Sequence, residues 1–353
     1  MAAREKICGT AKGARTAKER DCGVDLIRFV ACCAVVGLHT FTNGLTPVST
    51  VAYYACGFAV PVFFMASGAF LLNRGGVAYS YVIRKLRQLA AVLLLWALAV
   101  SAVAAAGKAA TGAADLAVFP TTFLSTLKGT LLQGGLLSHC WFLWALAILY
   151  ALLPPLSRLT MKGKLALFGA VAVLGVAIQA ASCVIGEPLE SHVSQTFRVW
   201  IWIEYFLLGG LLYPFCKKGL RVGPTGTLLA ASTVAAVAWQ LFAGSALMPE
   251  ASGAAHAEYF YDSLACLAWC AAFFAFVETL RPGRKPWVYL GSLTMGVYLL
   301  HKLVIRAVGH LVPFTDIVWG SGLGFLVVLG LSFLAIGILK RFFPRVFKLF
   351  CAV

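Results

Sequence analysis

Charged residues, glycine and proline divide the chain into about ten apolar segments, each close to the roughly 20 residues that a helix needs to cross the hydrocarbon core of a bilayer. Hydrophobic residues make up 61% of the chain and charged residues only 12%, which excludes an ordinary soluble domain. The pattern predicts an all-α polytopic membrane protein. The predicted spans are 24–42, 51–72, 88–107, 140–157, 165–184, 199–216, 224–244, 259–280, 287–306 and 317–339.

The 29 Lys and Arg residues fall mainly in alternate loops and at the two ends of the chain. Since cytoplasmic loops are enriched in Lys and Arg, this distribution predicts that the N- and C-termini are both cytoplasmic. Topology and attraction to anionic lipid headgroups then explain the net charge of +16, and the predicted partner is a lipid bilayer and no nucleic acid. The basic residues on the outer side are few: Lys108, Lys128, Arg198, Lys302 and Arg306.

The predicted organisation has three parts: a basic cytoplasmic leader over 1–20, a membrane domain over 21–340 and a short cytoplasmic tail over 341–353. The longest outer loop, 108–139, contains a stretch at 119–137 that fits an interfacial helix. The eleven cysteines show no paired spacing, so we interpret them as small apolar side chains. No metal site is expected, because no His or carboxylate cluster has ligand spacing.

Arg28 and His39 interrupt the first predicted span. Ionisable side chains inside a bilayer are costly and mark functional sites by default. Eleven residues of α-helix leave the two side chains only ~20° apart in azimuth and ~16 Å apart in depth. One helix face therefore carries a guanidinium near the inner surface and an imidazole deeper in. Because a neutral imidazole accepts a proton near neutral pH, His39 is a candidate general base.

Counting 1.5 Å per residue along each span places further polar residues at two depths. Glu204 and His301 fall in the outer third, near the level of His39, and Ser67 falls near the inner boundary with Arg28. Glu204 and His301 are candidates to orient His39 or to assist developing charge. The alternative is that they satisfy neighbouring helices by hydrogen bonds. Ser67 with the glycine after it also fits a close-packed small pair.

Arg84 and Arg87 lie in a predicted inner loop. A basic inner loop is expected from topology alone. Arg also binds phosphate through its planar fork of donors, which makes a phosphate clamp the second interpretation.

Five motifs follow one another along most of the chain. They are D-x-x-R…H at Asp25, Arg28 and His39, F-F-x-x-S-G at 63–68, R-x-x-R at 84–87, the block around Trp141, Tyr150 and Pro154, and the block at 296–301. With these motifs in this order, the chain resembles the acyltransferase-3 family of integral membrane proteins, which O-acylate bacterial surface polysaccharides, peptidoglycan and other acceptors outside the cytoplasm.

The resemblance implies a ten-helix, multi-pass acyltransferase of the bacterial plasma membrane. Its donor would be cytosolic acyl-CoA, usually acetyl-CoA, and its acceptor a hydroxyl on an extracytoplasmic or lipid-linked carbohydrate or other cell-envelope molecule. It implies that His39 is the essential catalytic residue. It also implies that Arg28, Arg84 and Arg87 are functional arginines, here expected to hold the CoA phosphates beside Ser67, while the thioester arm reaches toward His39.

One alternative from another class stays open: a transporter or flippase that binds a polar lipid-linked substrate with the same buried His, Arg and Glu side chains and does not react with it. A purely structural scaffold is disfavoured, because ionisable groups at matched depths have no packing purpose.

Overall fold

The computed structural model describes residues 21–111, 115, 117–248, 256–280, 284–309 and 318–351, and its regular elements are all helical. The predicted leader 1–20 lies outside the described residues. The α-helices are α1 (Cys22–Thr40), α2 (Pro47–Ala55), α3 (Ala59–Leu71), α4 (Tyr79–Ala110), α5 (Val118–Leu132), α6 (Trp141–Arg158), α7 (Met161–Ile185), α8 (Val199–Cys216), α9 (Val222–Phe242), α10 (Leu264–Leu280), α11 (Arg284–Gly309), α12 (Val318–Phe342) and α13 (Pro344–Cys351).

In the described part of the chain, nine helical stretches are long and apolar enough to cross a membrane. The apolar helix α10 is shorter, with 17 residues. Together they coincide with the ten predicted spans, so the prediction of an all-α polytopic membrane protein is confirmed. The cytoplasmic placement of the termini stays a prediction. The predicted tail corresponds to the end of α12 and to α13, apart from the last two residues, which lie outside the described residues.

Local sequence explains several helix boundaries. α1 begins after Asp21, whose carboxylate accepts a hydrogen bond from the Gly23 N–H at 3.0 Å and so satisfies one of the first unpaired donors of the helix. α2 begins at Pro47 after a capping box in which Thr46 and Ser49 each bond the other's backbone N–H. α5 ends at Gln133, which is left-handed with φ 61°.

Two predicted elements differ from expectation. The second span is not one helix: it is broken between α2 and α3, where the Gly57 N–H donates to the Tyr54 carbonyl oxygen at 2.9 Å. Arg84 and Arg87 lie on the first turns of α4 and not in a loop. α4 has 32 residues, which is longer than the roughly 20 that cross a hydrocarbon core. A count of apolar residues therefore does not detect its charged first turns.

Helices α3 and α8 form the centre of the bundle. A Cβ on Gly68 would lie 1.8 Å from the Phe206 carbonyl oxygen, and a Cβ on Gly209 would lie 2.0 Å from the Met65 carbonyl oxygen. Each helix therefore presents a glycine to the other's backbone, as in close pairs of membrane helices. α1 packs against both α3 and α11, which brings its polar face into the interior.

Candidate functional site

A cavity of about 1000 Å³ opens at the end of the bundle where α1 begins. Arg28 and Ser67, both predicted from the sequence, line it together with Tyr150. Arg74 and Lys85 also line it, and the charges of Arg84, Arg74 and Arg28 all act on Lys85. We call this space the inner cavity. Its wall carries a group of cations that suits a ligand with several negative charges.

One further cation of the inner cavity is neutralised inside the protein. Lys217 Nζ lies 2.6 Å from Asp21 Oδ2 and 2.6 Å from Glu278 Oε2. The Tyr213 hydroxyl also donates to Asp21 at 2.6 Å. Burial would raise the pKa of Asp21, but these hydrogen bonds outweigh burial and the pKa is lowered. Lys217 therefore ties α1, α8 and α10 together at this end, and it is less suited to an anionic ligand than Arg74 and Lys85.

Arg84 and Arg87 do not line the inner cavity. Both are exposed and line a separate shallow space on α4, of about 610 Å³. Arg84 reaches the rim of the inner cavity, because its guanidinium carbon lies 5.5 Å from the centre of the Tyr81 ring, and Tyr81 lines that cavity. A donor-binding role for this pair stays a prediction.

The opposite end of α1 opens into an outer cavity of about 900 Å³, which holds His39. Its wall mixes aromatic rings, including Tyr53, Trp141 and Tyr259, with amide and carboxylate groups such as Gln195 and Glu258. Aromatic faces beside hydrogen-bonding side chains form a surface that accepts polar, hydroxylated ligands.

Three imidazoles meet at the floor of the outer cavity. His39 and His301 are stacked, with ring centroids 5.2 Å apart and planes 26° apart, and His139 meets His301 edge-on at 4.9 Å. His39 is exposed to the cavity, whereas His139 and His301 are buried. The sequence offered both Glu204 and His301 as neighbours of His39, and the rings show that His301 is the one beside it. It gave no role at the site to His139, which lies two residues before Trp141 and was interpreted with it as an anchor at the membrane interface.

The tautomer of His301 follows from its backbone partner. Nδ1 lies 2.6 Å from the Tyr298 carbonyl oxygen, so this nitrogen carries the proton and donates. Nε2 is buried without a hydrogen-bond partner among the described residues. The Tyr298 hydroxyl in turn donates to the His139 carbonyl. These bonds hold His301 in a fixed orientation beneath His39.

Lys302 is a second residue that the motifs missed. Its ammonium group donates to Ser138 Oγ at 2.9 Å, and it lines the outer cavity together with His39. Its charge acts on His39, His139 and His301. The sequence signal for Lys302 was that few Lys and Arg residues are predicted on the outer side.

Glu204 lies in a different cluster. It is buried with Glu190 and Asp262, and a Cβ on Gly175 would lie 3.4 Å from Glu204 Oε2. Trp200 Nε1 donates to Asp262 Oδ2 at 3.1 Å. Among the described residues that line the inner or outer cavity, Glu204 does not occur. His301, which is also buried behind the cavity walls, reaches His39 by ring stacking, whereas Glu204 does not contact this group of imidazoles.

An apolar layer separates the two cavities. No described residue lines both of them. On α3, Phe63 and Phe64 lie between Val60 of the outer cavity and Ser67 of the inner one. Both rings pack on Phe142, with centroids 5.8 Å and 4.8 Å away. Aromatic side chains therefore lie between the two cavities, on the path that the thioester arm would take toward His39.

Among the described residues, no group of three or more His, Cys, Asp and Glu side chains is arranged to hold a metal ion.

Comparison with known proteins places this architecture in a family. The family model described as an acyltransferase domain, acyltransferase-3, matches residues 23–341. An amino-acid racemase of Enterococcus faecalis is 25% identical over 342 residues, covering 90% of this chain and 45% of that protein. This chain thus spans less than half the length of that curated relative. No solved structure matches the chain.

The chain belongs to the acyltransferase-3 family and has the helices of a multi-pass membrane protein.

Proposed function

We propose that the protein transfers an acyl group, in particular acetyl, from acyl-CoA in the inner cavity to a hydroxyl group of an acceptor in the outer cavity. The observation that carries the proposal is the placement of one helix, α1, between the two cavities, with Arg28 lining the first and His39 lining the second. The acceptor would be a carbohydrate or another hydroxylated molecule of the cell envelope.

The inner cavity supplies donor binding. Coenzyme A carries phosphates at one end and a thioester at the end of a long, thin arm. Arg28, Arg74 and Lys85 bind the phosphates in this proposal, because guanidinium and ammonium groups form charge-assisted hydrogen bonds to phosphate oxygens. The arm then spans the ~16 Å to His39, displacing the half-buried ring of Phe63 from the apolar layer.

The outer cavity supplies the chemistry. His39 takes the proton of the acceptor hydroxyl as its oxygen attacks the thioester carbonyl carbon. The Lys302 ammonium stabilises the negative charge that develops on the carbonyl oxygen. The carbon–sulfur bond then breaks, and the leaving thiolate takes the proton back from His39. His301, held by its bond to the Tyr298 carbonyl, supports the His39 ring by stacking.

Replacement of His39 tests the proposal. In membranes supplied with radiolabelled acetyl-CoA, we expect His39→Ala to lower acyl transfer by about 10²–10⁴-fold, the contribution typical of a general base. His192→Ala is the matched control, because His192 is an exposed residue of the connection between α7 and α8, beside Glu187. Retention of transfer by His39→Ala at the control's rate and expression level would remove His39 from the mechanism.

The transporter alternative makes a different prediction in the same experiment. If the cavities only bind and move a substrate, the wild-type protein incorporates no label from acetyl-CoA into any acceptor.

A further inference from the structure

An apolar groove lies beside the outer cavity, between α4, α5 and α11. It encloses about 890 Å³, and its wall is formed mainly by apolar and small residues, among them Trp96, Ala99, Val103, Leu132 and Leu303. Val103 is 74% exposed, and Leu132 is 46% exposed, so the groove opens sideways at the lipid-facing surface of the bundle. A hydrocarbon chain in the bilayer reaches this groove without crossing a polar region.

The groove continues to His39. A small cavity of about 420 Å³ is lined by His39, Lys302, Leu136, Gly135 and Arg306. It shares His39 and Lys302 with the outer cavity, and Gly135, Leu136 and Arg306 with the groove. A Cβ on Gly135 would meet no atom within 4 Å. The connection is therefore open at this glycine, because no side chain fills it.

Two cations border the groove. Lys128 on α5 and Arg306 on α11 both line it, and both are exposed. Neither forms an ion pair with a described residue. Outer segments of membrane proteins are poor in Lys and Arg, yet three of the five outer basic residues of this chain, Lys128, Lys302 and Arg306, lie along this route. The positive-inside rule does not explain three basic residues so close together on this side, whereas a site that binds an anion does.

We infer that the groove is the entry site of the acceptor, and that the acceptor is a phosphate-bearing lipid with a hydroxylated head group. Its hydrocarbon chain lies in the groove, its phosphate binds Lys128 and Arg306, and its head group reaches His39 past Gly135. The inference rests on the proposed function, since it names the acceptor class for the same transfer. The acetyl group forms an ester with a head-group hydroxyl, and coenzyme A leaves as its thiol.

Lipid binding tests the groove separately from catalysis. Native mass spectrometry of the purified protein would compare phosphatidylglycerol with a monoglucosyl diacylglycerol, a neutral glycolipid. We expect the combined Lys128→Gln and Arg306→Gln changes to weaken phosphatidylglycerol binding by about tenfold or more, because charge-assisted hydrogen bonds are lost, and to leave glycolipid binding unchanged. The matched control, Arg341→Gln with Arg345→Gln, removes two exposed cations at the other end of the bundle.

A second variant tests occupancy of the groove by a chain. Ala99→Phe projects a ring into the groove from α4, whereas Ala102→Phe places the same ring on an exposed position outside it. We expect only Ala99→Phe to reduce binding of both lipids. Equal binding of phosphatidylglycerol by the wild type, the Lys128 and Arg306 double variant and Ala99→Phe would overturn the inference, leaving bulk lipid as the occupant.

Product analysis links the groove to the reaction. After incubation of membranes with radiolabelled acetyl-CoA, His39-dependent label is expected in the chloroform–methanol extract and to fall in the Lys128 and Arg306 double variant. Label found only in water-soluble material would overturn the inference while keeping the acyltransferase. A His39→Ala protein that binds phosphatidylglycerol normally but transfers nothing would support both proposals, because binding and chemistry are read separately.

Discussion

Lys302 is the residue whose role follows most directly from its surroundings. It is the cation that lines the outer cavity beside His39, and its ammonium group is oriented by Ser138. A positive charge at this place favours an oxyanion in the reaction and repels a cationic ligand. Motif comparison passed over it because a single Lys at the end of a span looks like an ordinary interfacial residue.

Replacement of Lys302 is therefore expected to affect the chemical step. Lys302→Met keeps the aliphatic stem and removes the charge, and should lower kcat by about 10²–10³-fold, as the loss of one oxyanion donor does elsewhere. KM for acetyl-CoA should not change, because the donor phosphates bind in the other cavity. Steady-state kinetics checks both values. A raised KM with an unchanged kcat would show that Lys302 binds substrate and does not stabilise the transition state.

The basic residues of α4 and of the segment before it divide into two groups by the space that they line. Lys85 on α4 and Arg74 in the connection between α3 and α4 line the inner cavity, whereas Arg84 and Arg87 on α4 line the separate shallow space. The sequence marked Arg84 and Arg87 because of their R-x-x-R spacing. It could not identify Lys85, because the rotation of α4 about its axis is set by its tertiary contacts, nor Arg74, because the path of the connection between α3 and α4 is set in the same way.

Donor binding should follow this division. We expect Arg74→Met with Lys85→Met to raise KM for acetyl-CoA by about tenfold or more, since each phosphate contact is a charge-assisted hydrogen bond. Arg84→Met with Arg87→Met is the matched pair, both from α4, and should raise KM for acetyl-CoA less. A larger rise in KM for the Arg84 and Arg87 pair would instead place the donor phosphates in the shallow space on α4.

The contact between α3 and α8 is the element-scale feature with the clearest energetic consequence. Gly68→Ala places a methyl group against the Phe206 carbonyl, where backbone cannot give way, and should destabilise the protein by about 1–3 kcal/mol. Thermal unfolding in detergent measures this. Gly169→Ala on α7 meets no atom within 4 Å and should be neutral or slightly stabilising. Equal melting temperatures for the two variants would contradict the packing described here.

At the scale of the whole molecule, more of the fold than of the site could be predicted from the sequence. Apolar segments near 20 residues long predict the number of spans, because bilayer thickness sets helix length. Helical periodicity also predicts that Arg28 and His39 share a face. Sequence alone did not predict the aromatic layer between the cavities, since the packing of Phe63 and Phe64 on Phe142 joins helices far apart in the chain.

Depth estimates likewise predicted only part of the site. His39, His301 and Glu204 lie at similar predicted depths, but depth does not fix position around the bundle axis. His301 reaches His39 because α11 packs against α1. Glu204 lies on α8 among Glu190 and Asp262, where burial raises the pKa of Glu190.

The central claim is that donor and acceptor meet at His39 from opposite ends of the bundle, with the donor entering from the cytoplasm. Sealed membrane vesicles of defined orientation test it most directly, because acetyl-CoA does not cross a bilayer unaided. Radiolabelled acetyl-CoA added outside inside-out vesicles should give His39-dependent transfer without permeabilisation, whereas right-side-out vesicles should need permeabilisation. Equal transfer by intact right-side-out vesicles would contradict the account, because the donor would then reach His39 from the outer face.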